Sequence, residues 1–448
     1  MINTNTLKPN ILFLADTAHH TSAVTDHITA ITSSKSIHWH VLNPLINRTI
    51  DKLDLSNFDA IGIHYSIKPY NNYYLSVALK QKISNYTGVK FLFLQDEYQK
   101  VNLVQDYLFE LGFHLLFTLV NPKIMDLAYP DPRLSSLKKV TVLTGYVQEY
   151  MKHIDAPLVK DRPIDVSYRG RRCEFWLGKL AYEKEWIANE FKRRVGVRQL
   201  TLDISIDEAD RVYGEAWLQL LKNSKAVLGT ESGSSIWDFD DSIRKLTNRY
   251  LKKIRTENFD LVYENVLKPY DGNILYNAVS PRVFEAAATR TPMIMFPGEY
   301  SGVCKPGEHY IVLEKDFSNL EDVLEKISDN DYLQELADRT YSDLIESDLY
   351  SQYAFSQLVE REILSLVKQP NHHKEVPDIS AEIDKTLKQY RQLNRMRCFY
   401  TELGFIVVNF IQLLFDPKYP FIKKLQVLIK SLNRYLAYLL PRLLKAKT

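Results

Sequence analysis

Three cysteines are all that 448 residues carry, and Cys173, Cys304 and Cys398 lie far apart in the chain. With no CxxC pair and no even framework, the chain reads as a protein of a reducing compartment without a structural zinc site. Charge of one sign is equally scarce, since 57 Lys and Arg against 55 Asp and Glu leave a net charge of +2. No global field for nucleic acid follows, and no nucleic-acid partner is expected. The amino terminus MINTNTLKPN has no apolar run of the secretory kind, so a cytoplasmic location is expected. A GxGxxG fingerprint is also missing after the first apolar run, where ADTAHHTSA stands instead. That absence excludes a nicotinamide-dependent oxidoreductase.

What is present is a hydrophobic fraction of 45%, ample for a core, in a length suited to two or three domains. NILFLAD (10–16), IHWHVLN (37–43), FDAIGIHYS (58–66), VKFLFLQDE (89–97) and HLLFTLV (114–120) read as strands. They are apolar nearly throughout, as strands covered on both faces are. Between them TSAVTDHITAI, YYLSVALKQKISNY and LVQDYLFELG have helical spacing. That alternation predicts a parallel, doubly wound sheet. The pattern then restarts with PIDVSYRGRR (163–172), followed by the helical WLGKLAYEKEWIANEFKRR and the strands RQLTLDIS, SKAVLGTES and TPMIMFP. The expected domains are therefore 1–156 and 157–368, with the helix YAFSQLVEREILSLV (353–367) closing the second.

A linker at 369–378 carries two prolines, and its His372 and His373 read as a solvated pair rather than metal ligands. Region 379–448 reads as a helical extension. Ile379, Ile383, Leu387, Tyr390 and Leu393 recur at helical spacing in it. GFIVVNFIQLLF (404–415) is strongly apolar, and residues 417–448 carry eight Lys or Arg and no acid. The apolar run is shorter than the about 20 residues that span a bilayer. Two readings follow: an interfacial element drawn to anionic lipid, or a helical hairpin packed on protein.

Ligands of open α/β sheets bind at the carboxyl ends of strands. In the second domain those ends carry Arg169-Gly170-Arg171-Arg172 and the loop LGTESGSSIWDFDD (228–241), rich in donors, with Glu231 and Ser232 at its start. A glycine among arginines at a strand-to-helix turn suits a phosphate, and a solvated basic turn is the plain alternative. Asp238 and Asp240 form a D-x-D that trails the serine loop instead of ending an apolar strand, so no metal site is expected. SPRVFEAAATRTPMIMFPGEYSG (280–302) starts a helix with Ser280 as cap and Pro281 at its first position. Glu285, expected in the first turn, could accept two hydrogen bonds from a ribose diol. Arg282 could meet phosphate or merely pair with Glu285. Gly298, Tyr300, Ser301 and Gly302 follow at the same rim.

PRVFEAAATRTPMIM with GEYSG and EHYIVLEKDFSN, together with LGTESGSSIWDFD, IHYSI and FLFLQDEYQ, resembles GT-B glycosyltransferases. Within them the likeness is to bacterial proteins labelled glycosyltransferase family 1 or grouped with CgeB. It covers roughly residues 10–365. The resemblance implies two Rossmann-like domains facing a cleft, with a nucleotide-diphosphate sugar on the second and the acceptor on the first. It implies Glu285 on the ribose, and Arg171, with Lys179 as second candidate, on the diphosphate. It implies no cofactor and no metal. The expected acceptor is a surface glycan or a lipid-linked molecule. Two positions depart from the family: Asn277 stands where E-x7-E has its first glutamate, and Gln95 stands where a histidine is common. A degenerate, non-catalytic GT-B module is therefore the alternative. For an inverting reaction the candidate bases at the first domain's strand ends are Asp96 first, then Glu97, His19 and His64, with His20 beside them.

Overall fold

A computed structural model describes residues 8–19, 21–196, 198–256, 258–367 and 379–415, with scattered positions between 422 and 440. His20, the linker with His372 and His373, and most of the basic tail lie outside the described residues. The first sheet holds six strands: β1 (Asn10–Leu14), β2 (His38–Leu42), β3 (Ala60–Ile63), β4 (Val89–Phe93), β5 (Leu115–Thr118) and β6 (Lys138–Thr141). Their order is β2-β1-β3-β4-β5-β6, every pair parallel. β1, β3 and β5 are buried at every residue. Continuous apolar strands are what a sheet covered on both faces requires.

The second domain repeats the plan. β7 (Ile164–Arg169), β8 (Leu202–Ser205), β9 (Ser224–Gly229), β12 (Met293–Met295) and β13 (Ile311–Val312) pair in the order β13-β12-β9-β7-β8. β10 (Ser232–Ser234) and β11 (Tyr276–Ala278) form a separate antiparallel pair. Both sheets therefore reverse direction after their first strand, which puts a crevice between β1 and β3 and another between β7 and β9. The chain is an α/β protein of two doubly wound parallel-sheet domains across a cleft, with a helical extension, as expected.

One element lies elsewhere than expected. The helix Gln352–Leu364 does not close the second domain but returns to the first, where Phe355, Val359 and Ile363 join the core around β1 and β3. Ser33 Oγ meets Ser356 Oγ at 3.1 Å, and Lys138 pairs with Glu362 at 2.6 Å. Sequence periodicity fixes which face is buried but not which core buries it. The cleft is bridged a second time where Asp238 N donates to the Tyr98 carbonyl at 2.8 Å and Asn102 N to that of Phe239 at 2.9 Å.

Candidate functional site

The crevice between β7 and β9 opens into a cavity of about 200 Å³. Arg171, Lys184, Arg211, Arg282, Thr230 and Ser232 are among its lining residues. Arg211 is paired with Glu208 at 3.0 Å, and the remaining cations around so small a space repel one another, which favours an anion there. Of the three arginines at the end of β7 and just after it, two are engaged elsewhere. Arg169 pairs with Asp203 at 2.8 Å, and Arg172 lies 3.9 Å from Glu185. The Arg171 side chain is exposed and has no hydrogen bond or ion pair among the described residues.

Lys184, which the sequence reading missed, is the most telling group. It lies on the helix Lys179–Val195 one turn from the buried Leu180 and Ile187, so it interrupts that helix's apolar face. Its ammonium has no hydrogen bond or ion pair among the described residues. Burial holds its pKa below the ordinary lysine value, Arg171 and Arg282 push the same way, and Cys173 and Asp96 oppose them. A lysine on a buried stripe was the available sequence signal. Lys179, chosen instead, points to the Tyr263 ring at 4.1 Å and does not line the cavity.

The helix Pro281–Ala288 starts as expected, with Ser280 accepting from Arg282 N. Glu285 sits beyond the first turn, a correction of one turn, since proline takes the first helical position and Glu285 the fifth. Glu285 and Arg282 do not pair with each other, because Trp217 stands between them. Its indole Nε1 donates to Glu285 Oε2 at 2.6 Å, and Arg282 lies over its ring at 4.6 Å. Arg282 also donates to the Arg169 carbonyl, tying the helix start to the end of β7. Burial raises the Glu285 pKa, against the Trp217 hydrogen bond and the Arg282 charge. Glu285 is not among the residues that line the cavity, while Trp217 is.

Glu231 is brought to Asn277, Gly298 and Tyr300. Its Oε1 accepts from Asn277 Nδ2 at 2.9 Å and from Tyr300 N at 2.7 Å. A Cβ at Gly298 would come within 2.6 Å of the Glu231 carboxyl carbon, so only glycine permits this approach. The Tyr300 side chain is fully buried, its hydroxyl donating to the Phe296 carbonyl at 2.6 Å, so it is core rather than rim. Ser301 Oγ accepts from Val279 N at 3.0 Å, and Gly302 lies beside it. The D-x-D carboxylates cap the helix Ser242–Ile254, Asp238 accepting from Arg244 N at 2.9 Å and Asp240 from Ser242 N at 3.0 Å.

Across the cleft the candidate bases separate. Glu97 is sealed at the end of β4, accepting from Thr118 Oγ1 at 2.6 and 2.8 Å, from Leu119 N at 2.9 Å and from the Tyr129 hydroxyl. It joins β4 to β5 and cannot reach an acceptor. His64 is also sealed. Ser66 N donates to its Nδ1 at 3.1 Å, so its Nε2 carries the proton and donates to His27 Nδ1 at 2.9 Å. A second proton on Nδ1 would face that amide, and burial moreover lowers the His64 pKa well below the ordinary value. Neither Glu97 nor His64 faces the cleft, contrary to expectation.

Asp96 is exposed, held at φ 55° at the turn after β4, with the Tyr98 hydroxyl donating to Oδ1 at 3.2 Å. Its charge acts on Lys184 across the cleft. His19 follows β1, its Nδ1 accepting from Thr21 N at 3.1 Å. Asp26 was not foreseen; Gln148 Nε2 donates to it at 3.2 Å, and it raises the pKa of Tyr150 together with Glu285, after burial as the main cause. A second cavity of about 730 Å³ lies between the domains, lined by apolar Leu119, Val142, Leu143, Tyr146 and Phe355 and by polar Asn277 and Glu299.

No family model matches the chain, and no curated protein matches it in sequence. Solved structures do align. An alpha-glucosyltransferase in complex with UDP-glucose and DNA containing an abasic site shares 12% identity at TM-score 0.47, over 80% of this chain and 99% of that one. Anabaena HepE in complex with UDP shares 12% at TM-score 0.47, over 80% and 100%. T4 phage beta-glucosyltransferase shares 10% at TM-score 0.45, over 80% and 99%. At such identities substrate does not follow from shape, and function must come from the site.

Proposed function

We propose that this chain is a GT-B glycosyltransferase that moves a sugar from a nucleoside-diphosphate sugar to a hydroxyl of a surface-glycan or lipid-linked acceptor. The observation that carries the reading is Lys184, desolvated and without an ion pair among the described residues, beside Arg171 and Arg282 at the crevice between β7 and β9. During transfer the bond from the anomeric carbon to a diphosphate oxygen breaks, and negative charge grows on the leaving diphosphate. Fixed cations already in place stabilise that charge without reorganisation. They supply the neutralisation a divalent metal could otherwise supply, so donor binding in EDTA is expected.

Glu285 Oε1 has no hydrogen bond among the described residues and is the proposed acceptor for the ribose diol. In an inverting reaction Asp96 takes the proton of the acceptor hydroxyl as the new glycosidic bond forms. The largely apolar cavity between the domains supports an acceptor with an apolar portion. Three free cysteines support a cytoplasmic setting.

A second reading, a binding module without turnover, draws support from Glu231, which is occupied in holding Asn277. A thermal-shift panel of UDP-, GDP-, CMP- and dTDP-sugars, in EDTA and then magnesium, tests both, because a ligand of the native state raises the midpoint by mass action. A shift with one nucleotide family, followed by release of that nucleotide, supports the transferase. A shift without turnover under any acceptor supports the module. No shift with any sugar nucleotide would overturn the donor site.

A further inference from the structure

The helix Arg391–Leu414 is built inside out for a helix packed on a domain. The face toward the first domain carries most of its polar and charged contacts, beside the buried Cys398 and beside Phe405, which stacks on Tyr73 at 4.0 Å. Glu402 pairs with Arg48 at 3.2 Å and accepts from the Tyr73 hydroxyl at 3.1 Å, and Arg397 pairs with Asp51 at 2.8 Å. Asn394 accepts from Thr49 N at 3.1 Å and donates to the Ile46 carbonyl at 2.9 Å. The opposite face is apolar and open. Met396, Phe399, Leu403, Val407, Ile411 and Leu414 recur at intervals of three or four and are each between 43% and 52% exposed.

We propose that this outward face docks in the plane of an anionic phospholipid bilayer, holding the first domain against the membrane surface. Three observations choose lipid over the other occupants. The helix is long and apolar enough to cross a membrane by length and composition. Its first half is nevertheless clamped to the domain through Asn394, Arg397 and Glu402, and the residues beyond Glu402 reach only about 18 Å at about 1.5 Å each. A hydrocarbon core is about 30 Å thick, so the clamped helix lies on the membrane and does not span it.

Secondly, the exposed apolar residues, with Tyr400, Val408 and Phe415 included, cover about half the helix circumference at about 100° per residue. A two-helix seam between copies needs a narrower stripe. Thirdly, the chain continues into residues 417–448 with eight Lys or Arg and no acid. Ile422, Leu425, Ile429, Leu432, Leu436 and Leu440 there, spaced by three or four, are exposed as well. A purely cationic, apolar continuation matches acidic lipid, whereas a protein seam would need both charge signs. This docking is independent of the donor site.

The test is co-sedimentation of the full chain with phosphatidylcholine vesicles, with and without about 30% phosphatidylglycerol. The wild-type chain should pellet with the anionic vesicles and be released by salt. Val407→Asp combined with Ile411→Asp, both positions already exposed, should lower the bound fraction about tenfold or more while leaving the thermal midpoint and UDP binding unchanged. Lys423→Gln combined with Lys424→Gln should weaken binding by about fivefold per charge. Equal pelleting of wild type and the aspartate variant would overturn the proposal. So would equal pelleting with neutral and anionic vesicles, or a lipid-free dimer that the aspartate variant dissociates and that ignores vesicles.

Discussion

The two domains share a sheet order but treat the groups at their strand ends in opposite ways. In the first domain the titratable groups are closed in on themselves: Glu97 accepts from Thr118, Leu119 and Tyr129, and His64 is fixed between Ser66 and His27. In the second domain the corresponding crevice leaves Arg171 and Lys184 without hydrogen bonds or ion pairs among the described residues, Lys184 being largely desolvated. A buried group with all its bonds made stabilises the fold, and a half-buried charge with none made leaves room for a ligand. On the proposed reading, the difference separates a domain whose strand-end groups hold its shape from one whose strand-end groups receive an anion. Asp96 is the exception in the first domain, exposed at its turn and acting on Lys184.

The largest expected break of that contrast is Asp96→Asn. If Asp96 is the base, transfer slows by about 10²–10⁴-fold while nucleotide affinity is unchanged, as kcat and a binding isotherm would show. An unchanged kcat would move the role to His19. Next is Glu97→Ala, which leaves two hydroxyls and an amide without their acceptor and should cost about 3 kcal/mol of stability in denaturant unfolding. Lys184→Met should do the reverse of a structural mutation. It weakens nucleotide binding by roughly 10–100-fold, the worth of a charge-assisted hydrogen bond. It also raises the midpoint of the empty protein, because an unpaired desolvated charge is gone.

Acid should act chiefly through the first domain. His27 is buried with a pKa of about 3 against an ordinary 6.5. The unfolded chain binds a proton below 6.5 that the folded chain refuses until about 3, so stability falls as pH drops through that window. Each such buried histidine contributes up to about 1.4 kcal/mol per pH unit, His64 as well as His27, so His27→Gln should remove its own share and leave that of His64 in urea titrations at stepped pH. Lys179→Ala is the smallest change. It forfeits a cation–π contact worth about 0.5–1 kcal/mol and leaves nucleotide affinity as it was.

The sheets were legible because their strands are continuous apolar runs, and nine of the predicted strands match observed ones within a few residues at each end. Asp96 and Glu97 could not be told apart in sequence. They are neighbours of the same chemical type, and only the positive φ at Asp96 sends one outward and the other into the gap between β4 and β5. Arg171 was singled out from its basic turn, and it lines the cavity beside β7. Lys179 was preferred to Lys184 because it begins the helix, although a lysine in register with Leu180 and Ile187 was the better signal. Trp217 was invisible, since nothing local announces that a helix 68 residues away will insert an indole between Arg282 and Glu285. The return of Gln352–Leu364 to the first domain was hidden for the same reason: an amphipathic helix states that it packs, not on what.

The central claim is that Lys184 waits in a desolvated, anion-deficient pocket for a diphosphate. Titration calorimetry of UDP into the wild-type chain and Lys184→Met, in EDTA and at alkaline pH in buffers of different ionisation enthalpy, tests it directly. An arriving anion returns the Lys184 pKa toward the ordinary lysine value, so wild-type binding should take up protons and the variant should bind more weakly with no uptake. Equal affinity and equal proton uptake in the two proteins would contradict the account.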